Sequence, residues 1–441
     1  MLQPIVDALR KQDGVHDWLV RSIATSSTQY YVIGQRIENS RTVSNQKVVV
    51  TVMNDHPAAR GKGMMRGEAQ VTMVPSDQAH LAHKLDQAVF MAKLTDNPPY
   101  GLPGMSEYPA VEVADAEMQS DPRAVAERLV HELLATLQQE HGVRLSSAEV
   151  FVDKQEVTIR NSRGVDAASV ATRLLLDFVL LAASDEEEME SHIAFERRRA
   201  SDLDVPAMAR RQAQFARDAI VAGTPRTGTF PVVVSDDALV ELLMADGYSP
   251  LILRSAAQMK YQQLSPWEPG ATILSAESTG DAFTMYSNGL LPYGVRSSSF
   301  DHEGLPGQRV LIVENGVFNR FWASQRHAEY LNIAPTGSFG NMELALGSGA
   351  YDSLFQSDET LYHVVAFSAM SPDPITGDFV GEIRLGYEME QGRRRPIRGG
   401  SISGNLFEVL AAARLSREGT FLGNYLGPRA ALFPRITVAG D

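Results

Sequence analysis

The sequence contains no cysteine in its 441 residues. A disulfide framework, a thiolate metal site and a thiol nucleophile are therefore all excluded. Basic residues are also in deficit, since 40 Lys and Arg stand against 54 Asp and Glu and leave a formal net charge of −14. Because the phosphates of nucleic acids demand a basic surface, we expect no nucleic-acid partner.

Long apolar runs are missing as well. The longest one, Leu174 to Ala183, is interrupted by Asp177 and is shorter than the ~20 residues that a membrane-spanning helix needs. The segment 1–14 has neither the apolar stretch nor the small-residue cleavage site of a signal peptide. We therefore expect a cytoplasmic protein with no membrane association.

Alternation of apolar residues in the first half predicts a loose strand-and-helix repeat. Strand-like runs cover 28–53 and 67–74, and a helix follows them. The pattern returns with strands at 148–160 and 168–182 and a helix over 206–222. Repetition of this kind indicates two copies of one α/β unit.

A Pro- and Gly-rich connector at 97–109 separates the two copies and leads to a further helix. Asp121 is placed as its N-cap, with Pro122 at the first helical position. Its apolar residues recur at a spacing of four and predict one buried stripe, formed by Val125, Leu129, Leu133 and Leu137.

The second half consists of short β-rich segments separated by Gly, Ser and Asn turns. Only three helices are predicted there, at 236–246, 323–331 and 406–416. We predict an α+β protein with an N-terminal mixed α/β domain over 1–222 and a mostly antiparallel, β-rich C-terminal domain over 223–441.

Two blocks of the second half carry the most specific signal. The first reads Asp-His-Glu-Gly at 301–304, then a strand, an Asn-Gly hairpin at 315–316 and Pro-Thr-Gly at 335–337. The second reads Ile-Thr-Gly-Asp-Phe at 375–379 and Ile-Ser-Gly-Asn-Leu at 402–406. In this order the blocks resemble the C-terminal half of the TldD/PmbA family of metallopeptidase-related proteins. The family positions of the first block are held by Asp301, Glu303, Gly304, Arg309, Glu314, Asn315 and Gly316.

The same resemblance points to a motif that is absent. Catalytic members of the family carry HExxxH on the helix after the first C-terminal strand, where the histidines bind zinc and the glutamate activates a metal-bound water. Here Val240 and Ala245 stand at the histidine positions, while Glu241 keeps the place of the general base. The resemblance therefore implies the PmbA branch, also called TldE, with no metal site and no cofactor in this chain and with zinc in a TldD-like partner.

Candidate site residues lie in and after the 301–304 turn. The carboxylates of Asp301 and Glu303 could orient a peptide's amines or bind a cation, or Asp301 could simply cap the turn. Strand alternation after the hairpin would put Trp322 on one face and Phe321 on the other, as at an interface core. The peptide-groove or interface candidates are Asp301, Glu303, Gly304, Arg309, Phe321 and Trp322; the catalytic candidates are Glu241, His302 and Glu303.

Two functions are compatible with these observations. The resemblance implies a zinc-free, non-catalytic subunit of a two-component metallopeptidase that acts on unstructured or modified peptides. Its partner would be a TldD-like catalytic subunit or a second copy of itself, and the extended peptide would add as a strand. The alternative is an independent enzyme of a specialised peptide or natural-product pathway, with a relocated site drawn from His302, Glu303, His327, Glu329 and His363.

Overall fold

The structure is a computed structural model that describes residues 2–58, 63–185, 187–274 and 278–440. Its N-terminal sheet has six strands: β1 (Asp17–Ile33), β2 (Arg36–Pro57), β3 (Met64–Met73), β4 (Val143–Asn161), β5 (Asp166–Ala183) and β6 (Glu188–Arg197). The spatial order is β3-β2-β1-β4-β5-β6, and every neighbouring pair is antiparallel. Strands β1 to β3 form one copy and strands β4 to β6 form the other, and the two copies meet where β1 pairs with β4. The predicted repeat is therefore confirmed.

In the described residues, five helices accompany this sheet: α1 (Leu2–Leu9), α2 (Leu81–Ala92), α3 (Ala116–Ser120), α4 (Pro122–Leu137) and α5 (Val205–Ile220). The predicted start of α4 is confirmed, because the side chain of Asp121 accepts a hydrogen bond from the backbone N–H of Ala124 at 3.0 Å. The apolar stripe of α4 is buried against the sheet together with Leu174 and Phe178 of β5. The helices thus cover one face of the N-terminal sheet and leave the other face to the rest of the chain.

The C-terminal part contains two more sheets. The strands are β7 (Gly228–Ser235), β8 (Met285–Asn288), β9 (Arg309–Glu314), β10 (Val317–Phe318), β11 (Asn341–Leu344), β12 (Leu361–Pro372), β13 (Asp378–Glu390), β14 (Arg393–Ile397), β15 (Ser401–Asn405), β16 (Arg414–Leu415), β17 (Gly419–Leu422), β18 (Tyr425–Pro428) and β19 (Ala430–Ala439). In the larger sheet β12, β7, β19, β15 and β13 pair in a closed ring. Apart from the β7–β12 and β11–β18 pairs, the neighbours are antiparallel, so the predicted α+β class is confirmed.

The helices of this part are α6 (Asp236–Met244), α7 (Pro250–Leu253), α8 (Ala257–Tyr261), α9 (Gln325–Leu331) and α10 (Leu406–Ala411). The prediction of only three helices was wrong, since α7 and α8 are additional. They have four and five residues, too few for an apolar period to show in the sequence. Of the helices in the described residues, none combines the length and apolarity that crossing a bilayer requires.

The two edges of the N-terminal sheet differ. Strand β3 pairs with Val48–Pro57, so the exposed segment 36–47 of β2 forms an outer edge among the described residues. The other edge is β6, and its residues 189–194 line a cleft toward the C-terminal part. The proposed boundary at 222–223 falls in the connection between α5 and β7, and it stays a prediction.

The helix-free face of the N-terminal sheet packs against the C-terminal part. Leu19 of β1 and Ile159 of β4 are buried in one cluster with Phe300, which lies directly before the 301–304 turn. The Tyr108 hydroxyl donates to the carbonyl of Gly304 at 3.0 Å, and its ring contacts Phe300 edge-on at 5.5 Å. The motif turn is therefore part of the junction between the two halves.

Gly304 is a position in this junction where a side chain fits badly. Its φ is +97°, and a Cβ there would lie 3.0 Å from Cγ1 of Val165. We expect Gly304→Ala to lower the free energy of unfolding by about 2–4 kcal/mol, because backbone strain and overpacking add. Urea unfolding measures this.

Gly34→Ala is the matched control, since Gly34 has a φ of +58° and no atom within 4 Å of an added Cβ. It should cost only the strain of the left-handed backbone, about 1–2 kcal/mol. Equal losses in the two variants would contradict the contact with Val165.

Candidate functional site

The carboxylate of Asp301 organises the motif turn. Its Oδ1 accepts the backbone N–H groups of Glu303, Gly304 and Leu305 at 2.9, 3.0 and 2.9 Å. Its Oδ2 accepts the backbone N–H of Ser338 at 3.1 Å, which ties the turn to the loop after Pro-Thr-Gly. Both oxygens are thus engaged in holding backbone, and the turn-capping interpretation of Asp301 is the one that the geometry supports.

Glu303 connects the same turn to α9. Its Oε2 accepts the backbone N–H of Gln325, the first residue of that helix, at 2.7 Å. Burial raises the pKa of Glu303 to about 7, and the nearby charge of Asp301 adds to the rise. The hydrogen bond from the backbone of Gln325 opposes it. This carboxyl can therefore hold or release a proton close to neutral pH.

A cleft of about 600 Å³, here called the turn cleft, opens beside these residues. Glu303, His302, His327 and Trp322 all line it. His302 is about half exposed, and its Nδ1 lies 3.0 Å from Oγ of Ser338. Two imidazoles and a carboxyl of raised pKa thus face one space, which makes proton transfer chemically possible there.

The remaining candidates of the first block lie outside the turn cleft. Arg309 forms a two-point ion pair with Glu343 at 2.7 and 2.9 Å and lies over the ring of Tyr286. Phe321 is 6% exposed and packs edge-on against Phe318 at 4.7 Å within the core. The structure therefore corrects the expectation for Phe321: β10 ends at Phe318, so strand alternation does not extend to this ring, and the chain itself covers it.

Trp322 is held in place by its own chain as well. Its Nε1 donates to the carbonyl of Ile252 in α7 at 2.9 Å, and its ring contacts Phe339. One face of the indole still lines the turn cleft. Trp322 thus remains a candidate for contact with a ligand, whereas Phe321 does not.

Glu241 lies in a different and larger cleft of about 860 Å³, here called the helix cleft, between β6, α5, α6 and the strands β12 and β13. Burial raises the pKa of Glu241 to about 7; Asp246 and Asp237 add to the rise and Arg384 opposes it. No residue that the structure describes donates a hydrogen bond to this carboxylate. The catalytic candidates Glu241 and Glu303 are therefore not members of one site.

The helix that carries Glu241 does not present the ligands of a zinc site. Val240 has an apolar side chain packed against the core. Ala245 lies past the last residue of α6 with a left-handed backbone, at a φ of +40°. Neither side chain offers a lone pair, and in the described part of the chain no group of three His, Asp or Glu is arranged to hold a metal ion.

The structure also separates the residues of the relocated-site alternative. Glu329 is occupied by the backbone N–H of Gly101 at 2.8 Å and by Nε2 of Gln325 at 2.7 Å. His363 is buried at the centre of the larger sheet, with Nε2 2.9 Å from Oγ of Ser235, and burial lowers its pKa to about 4. Only His302, Glu303 and His327 come together, in the turn cleft.

Sequence reasoning missed a group of arginines. Arg21, Arg198 and Arg296 line a pocket of about 300 Å³ next to the turn cleft, with His302 between the two spaces. The three are far apart in sequence and form no motif. The available signal was the alternation of β1, where Arg21 shares the face of Leu19 rather than that of the helix-facing Val20.

The raised pKa of Glu241 has a consequence for stability. The folded protein binds a proton at Glu241 between the ordinary pKa of 4.5 and about 7, so this carboxyl destabilises the fold as pH rises through that window. We expect Glu241→Gln to match the wild type below pH 4.5 and to be more stable above pH 7, by up to about 3 kcal/mol. Urea unfolding from pH 4 to pH 8 tests this.

Glu382→Gln, at an exposed position on the rim of the same cleft, controls for removing a carboxylate from this surface. A difference between Glu241→Gln and the wild type that stays constant from pH 4 to pH 8 would contradict the buried, protonated carboxyl.

Comparison with known proteins identifies the family of the C-terminal part. Residues 227–440 match the PmbA/TldA metallopeptidase C-terminal domain. Over 143 residues the chain is 32% identical to an uncharacterised protein of Methanocaldococcus jannaschii, and over 130 residues it is 28% identical to a zinc metalloprotease TldD homologue of Saccharolobus solfataricus. These segments cover 30% and 26% of this chain and only 34% and 29% of the two relatives.

Solved structures agree over the whole chain. TldE from Thermococcus kodakarensis superimposes with a TM-score of 0.83 at 18% identity, with all of both chains covered. A proposed modulator of DNA gyrase from Thermotoga maritima gives 0.82, also at 18% identity and with all of both chains covered. At this identity the likeness shows the fold alone. The family assignment rests on the match over residues 227–440. Its C-terminal part, residues 227–440, belongs to the TldD/PmbA family of metallopeptidase-related proteins, and α6 in that part lacks the two histidines of HExxxH.

Proposed function

We propose that this chain is a zinc-free, non-catalytic subunit that binds extended peptides for a TldD-like metallopeptidase. The observation that carries the proposal is α6, which keeps Glu241 at the wall of the helix cleft but has Val240 and Ala245 where the zinc ligands would stand. The helix cleft thus has the size of a ligand site but no side-chain metal ligand at the two histidine positions of the motif. A cleft of this kind supports a role in holding substrate rather than in cleaving it.

The walls of the helix cleft suit an extended chain. One wall is β6, the edge strand of the N-terminal sheet, whose outer backbone groups have no strand partner among the described residues. An extended peptide can add to such an edge through main-chain hydrogen bonds, largely independently of its sequence. The opposite wall carries Ser368 and Arg384, which can contact alternate side chains of the peptide.

The catalytic zinc, in this proposal, belongs to the partner. Members of this family act in TldD–TldE pairs, and the relative from Saccharolobus solfataricus is described as a zinc metalloprotease. A cytoplasmic complex, a heterodimer with such a partner and a role in peptide maturation are parts of the proposal. A homodimer is the other assembly compatible with it.

Blocking the helix cleft should abolish peptide binding. Ser368→Trp puts an indole into the cleft from an exposed position of β12, and we expect the dissociation constant of a fluorescently labelled unstructured peptide to rise at least about tenfold. Fluorescence anisotropy measures it, with the TldD-like partner present and absent.

Ala369→Trp is the matched control, because Ala369 is the adjacent exposed residue and does not line the cleft. Equal weakening by both substitutions, or binding that neither affects, would contradict the location of the peptide.

Metal content and activity test the division of labour. The isolated, untagged chain should hold no stoichiometric zinc by elemental analysis and should not hydrolyse peptides, because α6 offers no ligand at the two histidine positions. Addition of a TldD-like subunit should give chelator-sensitive hydrolysis. About one tightly held zinc ion per isolated chain, or chelator-sensitive proteolysis by the chain alone, would overturn the proposal.

A further inference from the structure

The pocket of about 300 Å³ beside the motif turn, here called the arginine pocket, has an unbalanced charge. Three guanidinium groups line it, and the one acidic residue in its lining is Asp301. Both oxygens of Asp301 are already engaged with backbone N–H groups. In a chain of net charge −14, this concentration of positive charge in one small space requires an explanation.

Arg198 is fully used by the fold. Its guanidinium donates to the carbonyls of Gly294 at 2.9 Å, Val295 at 2.6 Å and Ser297 at 3.3 Å. These bonds fix the loop that carries Arg296, and the backbone N–H of Arg296 is held in addition by Oδ1 of Asn341 at 3.0 Å. Arg198 therefore positions Arg296 rather than being available itself.

Arg21 and Arg296 are the two free cations of this pocket. Each is partly buried, and neither guanidinium has an ion-pair or hydrogen-bond partner in the residues that the structure describes. Burial lowers the pKa of both guanidinium groups. The charge of Asp301 opposes this at Arg21, and the charges of Asp246 and Glu196 oppose it at Arg296. An arginine nevertheless remains charged at neutral pH. A partly buried guanidinium with no counter-ion in direct contact is costly, and an arriving anion would offset that cost.

The other groups around this space are hydrogen-bonding ones. His302 and the side chains of Ser298, Gln308 and Ser338 face it, and Phe300 and Val157 form part of its apolar wall. A planar guanidinium donates two parallel hydrogen bonds to a carboxylate or a phosphate. A volume of about 300 Å³ is at the low end for ligand pockets and fits a small molecule or a single terminal group.

We propose that the arginine pocket binds the carboxylate or phosphate group of a small ligand through Arg21 and Arg296. This assignment is independent of peptide binding in the helix cleft, since the two spaces share no lining residue. The ligand would be gripped from both halves of the chain, by β1 on one side and by the loop after β8 on the other.

Isothermal titration calorimetry of the full chain in a chloride buffer tests the proposal, with inorganic phosphate and succinate as the two probes. We expect one-to-one binding of at least one probe; binding of phosphate alone assigns a phosphate ligand, and binding of succinate alone a carboxylate. Arg21→Gln and Arg296→Gln should each weaken it at least about tenfold, because each removes a charged hydrogen-bond donor. No heat of binding with either probe, or an affinity equal to that of the wild type in either variant, would overturn the proposal.

Arg435→Gln is the matched control, an exposed arginine of β19 that lies outside this pocket. Thermal unfolding without added phosphate or succinate separates a binding role from a structural one. Arg21→Gln and Arg296→Gln should then melt no lower than the control, because they remove uncompensated charge. A melting temperature clearly below that of Arg435→Gln would show that the arginines serve the fold and would equally overturn the assignment.

Discussion

Four backbone hydrogen bonds to the carboxylate of Asp301 hold together the motif turn, on which both the turn cleft and the arginine pocket depend. Asp301 accepts three successive N–H groups of its own turn and one from Ser338. Removing an acceptor of this kind leaves several donors unsatisfied at once, which costs far more than a single average hydrogen bond. The turn then sets the Gly304 carbonyl against Tyr108 and the Glu303 carboxylate against α9. The motif residues Asp301, Glu303 and Gly304 therefore each have a structural role in the fold.

The structure divides its unusual side chains among three spaces with different chemistry. The helix cleft contains an unligated carboxyl, Glu241, whose pKa is raised to about 7. The turn cleft contains Glu303 of similarly raised pKa beside two imidazoles. The arginine pocket is cationic and lies across His302 from the turn cleft. The charged and titratable side chains of this chain are thus distributed over three separate spaces.

Local sequence signals predicted the elements well and the spaces between them poorly. The cap and proline that start α4 and the two α/β copies could be read directly, because they depend on neighbouring residues. The error at Phe321 arose because a strand of two residues ended before its alternation could apply. Arg21 and Arg296 line one pocket because segments that are distant in sequence pack together, and no periodicity or spacing in the sequence predicts that proximity.

The two edges of the N-terminal sheet bear on how the chain avoids self-association. An open strand edge is a template for aggregation unless charge, shape or cover blocks it. Along 36–47 of β2 the outer edge carries Arg36, Glu38, Arg41 and Lys47 among exposed polar residues, a composition that discourages a second chain from pairing there. The β6 edge is instead recessed in the helix cleft. Charge along one edge and recession of the other both disfavour strand pairing between copies, so we expect the chain to remain dispersed at high concentration.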